Sequence, residues 1–266
     1  LLQERQIQLL CRRNTGVGAD GILSGPVFEN EKIKVRIFNP DGSEAERSGN
    51  GIRIFSKYLK DAGYVKEKCY ELWTKAGSVQ VEFLDEDASH MKVDMGYAAF
   101  GADSIHAVGF EGDMINESVF FCDNFYNITC VSMGNPHAVC FVDDWATVAN
   151  SLFDDPSDKR LATFDINRIG AFYESHPLFP EKTNVEFACV GPDGIAMRVY
   201  ERGCGETPAC GTGACAVGVA ALLTNRRGRE NDVLLPGGTL HIVWEKDGRV
   251  TMTGPAVEVF EGAIDL

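Results

Sequence analysis

Residues 33–51 read "IKVRIFNPDGSEAERSGNG", and residues 195–213 read "IAMRVYERGCGETPACGTG". Each begins with a β-branched-rich run that carries an arginine at its fourth position, Arg36 or Arg198. Each continues through a polar turn to a glutamate, Glu44 or Glu206, and then to a small nucleophile-type residue followed by G-x-G. A shift of 162 residues superposes the two without a gap, carrying Ser48 onto Cys210, Gly49 onto Gly211 and Gly51 onto Gly213. Self-similarity of this length marks an internal duplication whose unit is strand, turn, nucleophile loop and helix.

The flanking sequence fits that unit. Helical patterns are few: Leu1–Arg13, Ile52–Ala62, Ile166–Ser175 and Thr212–Asn225. Strand patterns are many, among them "GSVQVEFLD", "HMKVDMG", "TLHIVWEKD" and "RVTMTGPAVEVF". The expected fold is therefore α+β, with two pseudo-symmetric domains. Each is a mixed or antiparallel sheet wrapped around a central helix, with the active site in the cleft between them. The expected halves are 1–97 and 98–254, with a last strand over 255–266 returning to complete the first. The second half opens with "CVSMGNPHAVCFVDD", residues 130–144. The same shift would put its counterpart before Leu1, so the first half is read as lacking its opening strand and loop.

Composition narrows the function. The 266 residues are 44% hydrophobic and 24% charged, the balance of a globular chain, and the net charge of −14 argues against a nucleic-acid partner. No run of eighteen apolar residues predicts a membrane span. Nine cysteines form an odd set without a C-x-x-C pair, which suits neither a disulfide framework nor a zinc ribbon and points to a reducing cytoplasm. Cys140 in "HAVCFV" and Cys189 in "VEFACV" read as small buried hydrophobes. "GVGADG", residues 16–21, has the spacing of a dinucleotide loop but follows a helix and precedes a strand, so it reads as a helix-ending turn.

The duplicated loops carry the chemistry. Each sets a hydroxyl or thiol just ahead of a helix, with glycines that let backbone N–H groups approach a ligand. A helix N-terminus attracts a carboxylate and lowers the pKa of a thiol placed there, so Cys210 is expected to be reactive. Two such loops facing one carbon from opposite sides would supply what inversion of a stereocentre needs, one group to remove the Cα proton and another to return it. No nicotinamide, metal or pyridoxal motif is evident, and no cofactor is expected.

"FNPDGSEAERSGNGIRIFSKYL", "SMGNPHAVCFVDD", "KTNVEF" and "YERGCGETPACGTGACA" together resemble diaminopimelate epimerase, in order and across nearly the whole chain. The resemblance implies PLP-independent, two-base epimerisation of LL- to meso-diaminopimelate in lysine and cell-wall biosynthesis. It carries the two catalytic positions onto Ser48 and Cys210, and a thiol-tuning pair onto His137 and Glu201. Substrate-binding positions fall on Asn39, Gly49, Asn50, Asn135, Asn184, Glu201, Arg202, Gly211 and Thr212. Arg202 could hold a distal carboxylate in two hydrogen bonds. The implied partner is a small amino-acid substrate, with no nucleic acid and no membrane; a homodimer stays open. The family's opening asparagine-bearing loop is absent from the sequence.

Ser48 departs from the pattern, because a serine hydroxyl is far less acidic than a thiol. Beside the epimerase, three readings stay open: a racemase of another amino acid, a one-base dehydratase or isomerase of the same superfamily, and an inactive amino-acid-binding homologue.

Overall fold

The computed structural model describes residues 2–121 and 124–265. Cys122, and Leu1 at the start of the first predicted helix, lie outside the described residues. The chain divides into two compact units, 1–94 with 253–266, and 95–252.

The first unit starts with helix α1 (Glu4–Cys11), shorter than its predicted Leu1–Arg13. It buries Ile7 and Cys11 against Phe38. The chain then turns through "GVGADG", where the Gly16 and Gly18 N–H groups bond back to Arg12 and Leu10 carbonyls at the end of α1. That turn is a helix stop, as its position in the sequence implies. Strands β1 (Ile22–Glu29) and β2 (Lys32–Phe38) pair antiparallel, and the short β3 (Glu44–Ala45) folds back on β2. Helix α2 (Gly49–Asp61) follows, then β4 (Cys69–Thr74), β5 (Gly77–Phe83) and β6 (His90–Tyr97), whose last residues enter the second unit. The strand order is β1-β2-β4-β5-β6. β2 and β4 are parallel, so their connection must cross over, and α2 is that crossover.

The second unit repeats this plan with additions. An antiparallel pair, β7 (Glu117–Phe121) and β8 (Asn124–Ser132), leads into β9 (Pro136–Phe141). After helix α3 (Ile166–Glu174) come β10 (Asn184–Gly191), β11 (Gly194–Glu201), β12 (Gly205–Thr207), α4 (Gly211–Leu223), β13 (Glu230–Leu235), β14 (Gly238–Trp244) and β15 (Arg249–Pro255). The order is β15-β14-β13-β11-β10-β9-β8-β7, with β12 on β11. The 162-residue shift carries α2 onto α4 at both ends. It also carries the Arg36–Glu44 ion pair, 2.9 Å, onto Arg198–Glu206, 2.7 Å. In each unit the strand arginine pins the glutamate four residues before the nucleophile, and so holds the loop that enters the helix.

The two central helices differ in surroundings. α2 buries Ile52, Phe55 and Leu59 along one face and leaves Ile54 and Tyr58 exposed. α4, "GTGACAVGVAALL", is buried on all sides from Gly211 to Ala221, with β8, β9, β10, β13 and β14 around it. Its small residues permit this: a Cβ on Gly218 would stand 2.9 Å from Ile242 Cγ2 on β14. An aromatic core of Phe164, Phe187 and Tyr173 lies beneath α3. There Gly170 meets β11 so closely that an added Cβ would fall 2.5 Å from Tyr200 Cβ. Gly170→Val is expected to destabilise the protein by about 1–3 kcal/mol through overpacking, read as a lowered melting temperature.

Three expectations need correction. The helices begin earlier than predicted, at Gly49 and Gly211, because Ser48 and Cys210 act as N-caps and the glycines after them enter the first turn. The strand expected over 255–266 does not form. β15 ends at Pro255, which has no N–H to extend a ladder, and Val257, Val259 and Phe260 lie exposed in irregular backbone. Cys140 is buried as expected, but Cys189 is half-buried near the end of β10.

Candidate active site

Ser48 and Cys210 occupy the same local geometry. Ser48 has extended backbone, φ −143° and ψ 120°, and its Oγ accepts from the Gly51 N–H at 3.1 Å. Cys210 has φ −125° and ψ 113°, and its Sγ accepts from the Gly213 N–H at 3.4 Å. The duplication thus reproduces the cap itself, hydroxyl in one unit and sulfur in the other. Ser48 is half-buried; Cys210 is 6% exposed.

In the first unit, Asn39 follows β2 directly and its Nδ2 donates to Ser43 Oγ at 3.0 Å across the turn to β3. Asn50, in the first turn of α2, accepts from Arg53 Nη2 at 3.0 Å. Arg53 also donates to the Gly49 and Pro255 carbonyls, tying the start of the helix to the end of β15. Ser48, Gly49 and Asn50 are therefore gathered at one helix end, with Asn39 in the turn that leads toward it.

The second unit brings together more of the predicted residues. β9 and β10 run parallel with His137 opposite Asn184, and Glu186 lies two residues on, on the same face of β10. Asn184 Nδ2 donates to the Pro136 carbonyl at 2.7 Å, and its Oδ1 accepts from the Arg202 N–H at 2.9 Å. Glu174, at the end of α3, accepts from the Gly203 N–H at 2.7 Å. Those bonds shape the loop that presents Arg202, whose side chain is exposed. Asn135 Nδ2 donates to Thr212 Oγ1 at 3.3 Å, and Thr212 Oγ1 is 3.5 Å from Cys210 Sγ.

Two expectations change here. The sequence reading paired His137 with Glu201, but the hydrogen-bonded carboxyl is Glu186, with Oε1 2.6 Å from His137 Nδ1 and both side chains fully buried. Glu201 instead accepts from Thr207 Oγ1 on the neighbouring β12. The thiol of Cys210 is raised, not lowered, relative to an ordinary cysteine. Burial is the main cause, and the negative charges of Glu201 and Glu186 add to it. The bonds from Thr212 and Gly213 act in the opposite direction and do not outweigh them. Cys140 and Cys130 are also driven up by burial, Cys140 to about 12, which leaves them inert. Glu186 itself was missed. Its signal was a lone carboxylate inside the apolar run "NVEFACV".

A duplicated α+β unit, with a hydroxyl or a thiol capping its central helix, defines the class of fold. The chain is similar to a hydroxyproline epimerase from Agrobacterium vitis, with a TM-score of 0.64 at 16% identity over 94% of this chain and 76% of that one. It is equally similar to a phenazine biosynthesis protein of the PhzF family from Bacillus anthracis, with a TM-score of 0.64 at 18% identity over 99% and 90%. At that identity the likeness is one of fold. The model of the diaminopimelate epimerase family matches residues 1–101 and 129–259. A diaminopimelate epimerase from Desulfitobacterium hafniense is 42% identical over 259 residues, 96% of this chain and 86% of that protein. Another from Synechococcus elongatus is 42% identical over 270 aligned positions, covering 100% and 90%. The chain belongs to the diaminopimelate epimerase family.

Proposed function

We propose that this protein interconverts LL- and meso-diaminopimelate by removing and returning the Cα proton, a step of lysine biosynthesis, and that Cys210 is its principal proton-transfer group. The observation that carries this reading is the repeated cap, set in a chain of this family: Ser48 and Cys210 stand at the same turn of duplicated helices, each bonded to the third N–H beyond it. Inversion needs a group for each face of Cα, and the duplication supplies two. The first N–H groups of each helix are donors for the substrate carboxylate and for the charge that develops as Cα–H breaks. Arg202 serves as the anchor for the distal carboxylate, and Asn39, Asn50, Asn135 and Asn184 as partners for the remaining ammonium and carboxylate groups.

Localisation in the cytoplasm fits the eight described cysteines, none of which is joined in a disulfide. No helix among the described residues is long and apolar enough to cross a membrane.

Heavy-water exchange tests the reading. LL- and meso-diaminopimelate are incubated separately, and deuterium at Cα and the stereochemistry of the product are measured. Exchange at Cα with any inversion supports the reading, and no exchange from either isomer rejects it. The pH profile carries a further prediction. Because the Cys210 thiol is raised, the thiolate fraction below its pKa grows about tenfold per pH unit. The exchange kcat/KM should therefore still climb above pH ~8.5, where an ordinary thiol levels off. A plateau near neutral pH would contradict the burial effect.

A further inference from the structure

Glu186 is buried chemistry that the proposed reaction does not use. Its side chain is fully buried, and its Oε2 has no hydrogen-bond partner among the described residues. Its Oε1 lies against the start of α4, where a Cβ on Gly213 would stand 2.7 Å from it. The titratable groups acting on or from it are His137 on β9, Glu201 on β11, Cys130 on β8 and Cys210 at the α4 cap. Of these four, only His137 can carry a positive charge. A carboxyl with one orphaned oxygen in such a place is tolerated when it shares a proton with a neighbour.

The hydrogen-bond directions follow from the side chains in order. Asn135 offers its Nδ2 to Thr212, so its Oδ1 faces His137 Nε2, 3.1 Å away. An amide oxygen only accepts, so Nε2 must carry a hydrogen, and His137 Nδ1 is the atom that shares a proton with Glu186. Asn135 then donates to Thr212 Oγ1, which frees the threonine hydroxyl hydrogen for Cys210 Sγ.

We propose that Glu186 is a positioning residue for Cys210: it holds His137 through Nδ1 so that Nε2–H, Asn135 and Thr212 form a line of donors ending on the sulfur. The line aims hydrogen-bond donors at the thiolate, the form that Cα–H removal requires and that burial disfavours. This assignment rests on Cys210 being the proton-transfer group.

The test compares the wild type with Glu186→Gln, Glu186→Leu and Thr212→Val. Glutamine can still donate an amide N–H to Nδ1, and leucine cannot. Nitrogen-15 NMR of histidine-labelled protein, with His137 assigned through a His137→Asn control, reads the tautomer without any substrate. Nε2 should be protonated in the wild type and in Glu186→Gln, whereas in Glu186→Leu, with Nδ1 unpartnered and Asn135 alone holding the ring, both tautomers should be populated. In heavy water, exchange of whichever diaminopimelate isomer the wild type exchanges faster should fall on the order of 100-fold in Glu186→Leu and Thr212→Val. It should stay within about tenfold of wild type in Glu186→Gln. An unprotonated Nε2 in the wild type, or equal exchange by the Gln and Leu variants, overturns the assignment. If Glu186→Leu does not fold, the wild-type tautomer and Thr212→Val decide. A wild type that exchanges neither isomer defeats the epimerase reading alone, and the tautomer still decides the role of Glu186.

Discussion

Cys210→Ser is expected to lower Cα–deuterium exchange by about 10²–10⁴-fold, the range associated with losing one general acid–base group. The protein itself supplies the reference for this substitution. Ser48 already shows that serine at the equivalent position forms the cap, accepting from Gly51 at 3.1 Å. Serine is among the preferred N-cap residues, so the variant keeps the start of α4 intact. The change is confined to the acidity of one atom. Melting temperature should move little while exchange collapses. The measurement is exchange of both diaminopimelate isomers beside a thermal melt of the same sample. A variant that exchanges within about tenfold of wild type would remove Cys210 from the chemistry. A variant whose exchange and melting point fell together would make the sulfur a structural group only.

How much of this site was legible in the sequence depends on how far apart its parts lie. The two caps could be read because the duplication prints the same loop twice, and a local loop leaves a local pattern. The role of Arg36 and Arg198 was half visible: their fourth-position match was plain, but their partners, Glu44 and Glu206, are met only once β3 and β12 fold back. The pairing of His137 with Glu186 was out of reach. The two residues lie 49 apart in the chain and meet through a parallel β9–β10 register that no sequence period encodes. The acidity of Cys210 was misjudged for a related reason. The helix-end effect that lowers a thiol is local and can be read from position, whereas the burial that raises it comes from five strands packed around α4. The α+β class was legible from few helical and many strand patterns. The end of the last strand was not, because the apolar alternation of "AVEVF" continues past the proline that stops the ladder.

Ser48→Cys should raise the rate of inversion by about 10²–10⁴-fold, the mirror of the first prediction. Ser48 Oγ sits where a thiol would, and the first turn of α2 offers a sulfur the same Gly51 donor that Gly213 gives Cys210. Ser48 is also less buried than Cys210, so a thiol there suffers less of the desolvation that raises Cys210 and gains the full benefit of the helix end. With serine in place, exchange should be lopsided: the isomer whose proton Cys210 removes exchanges, and return from the other face limits inversion. With cysteine in place, both isomers should exchange, and inversion should keep pace with exchange. The result separates the epimerase from a one-base enzyme. If the variant still exchanges one isomer without inverting it, the second face was never built for proton return. A product that has lost a substituent would then identify an elimination or isomerisation. If inversion rises as stated, the fold and pocket are those of a working epimerase, and the single oxygen of Ser48 is what sets its pace.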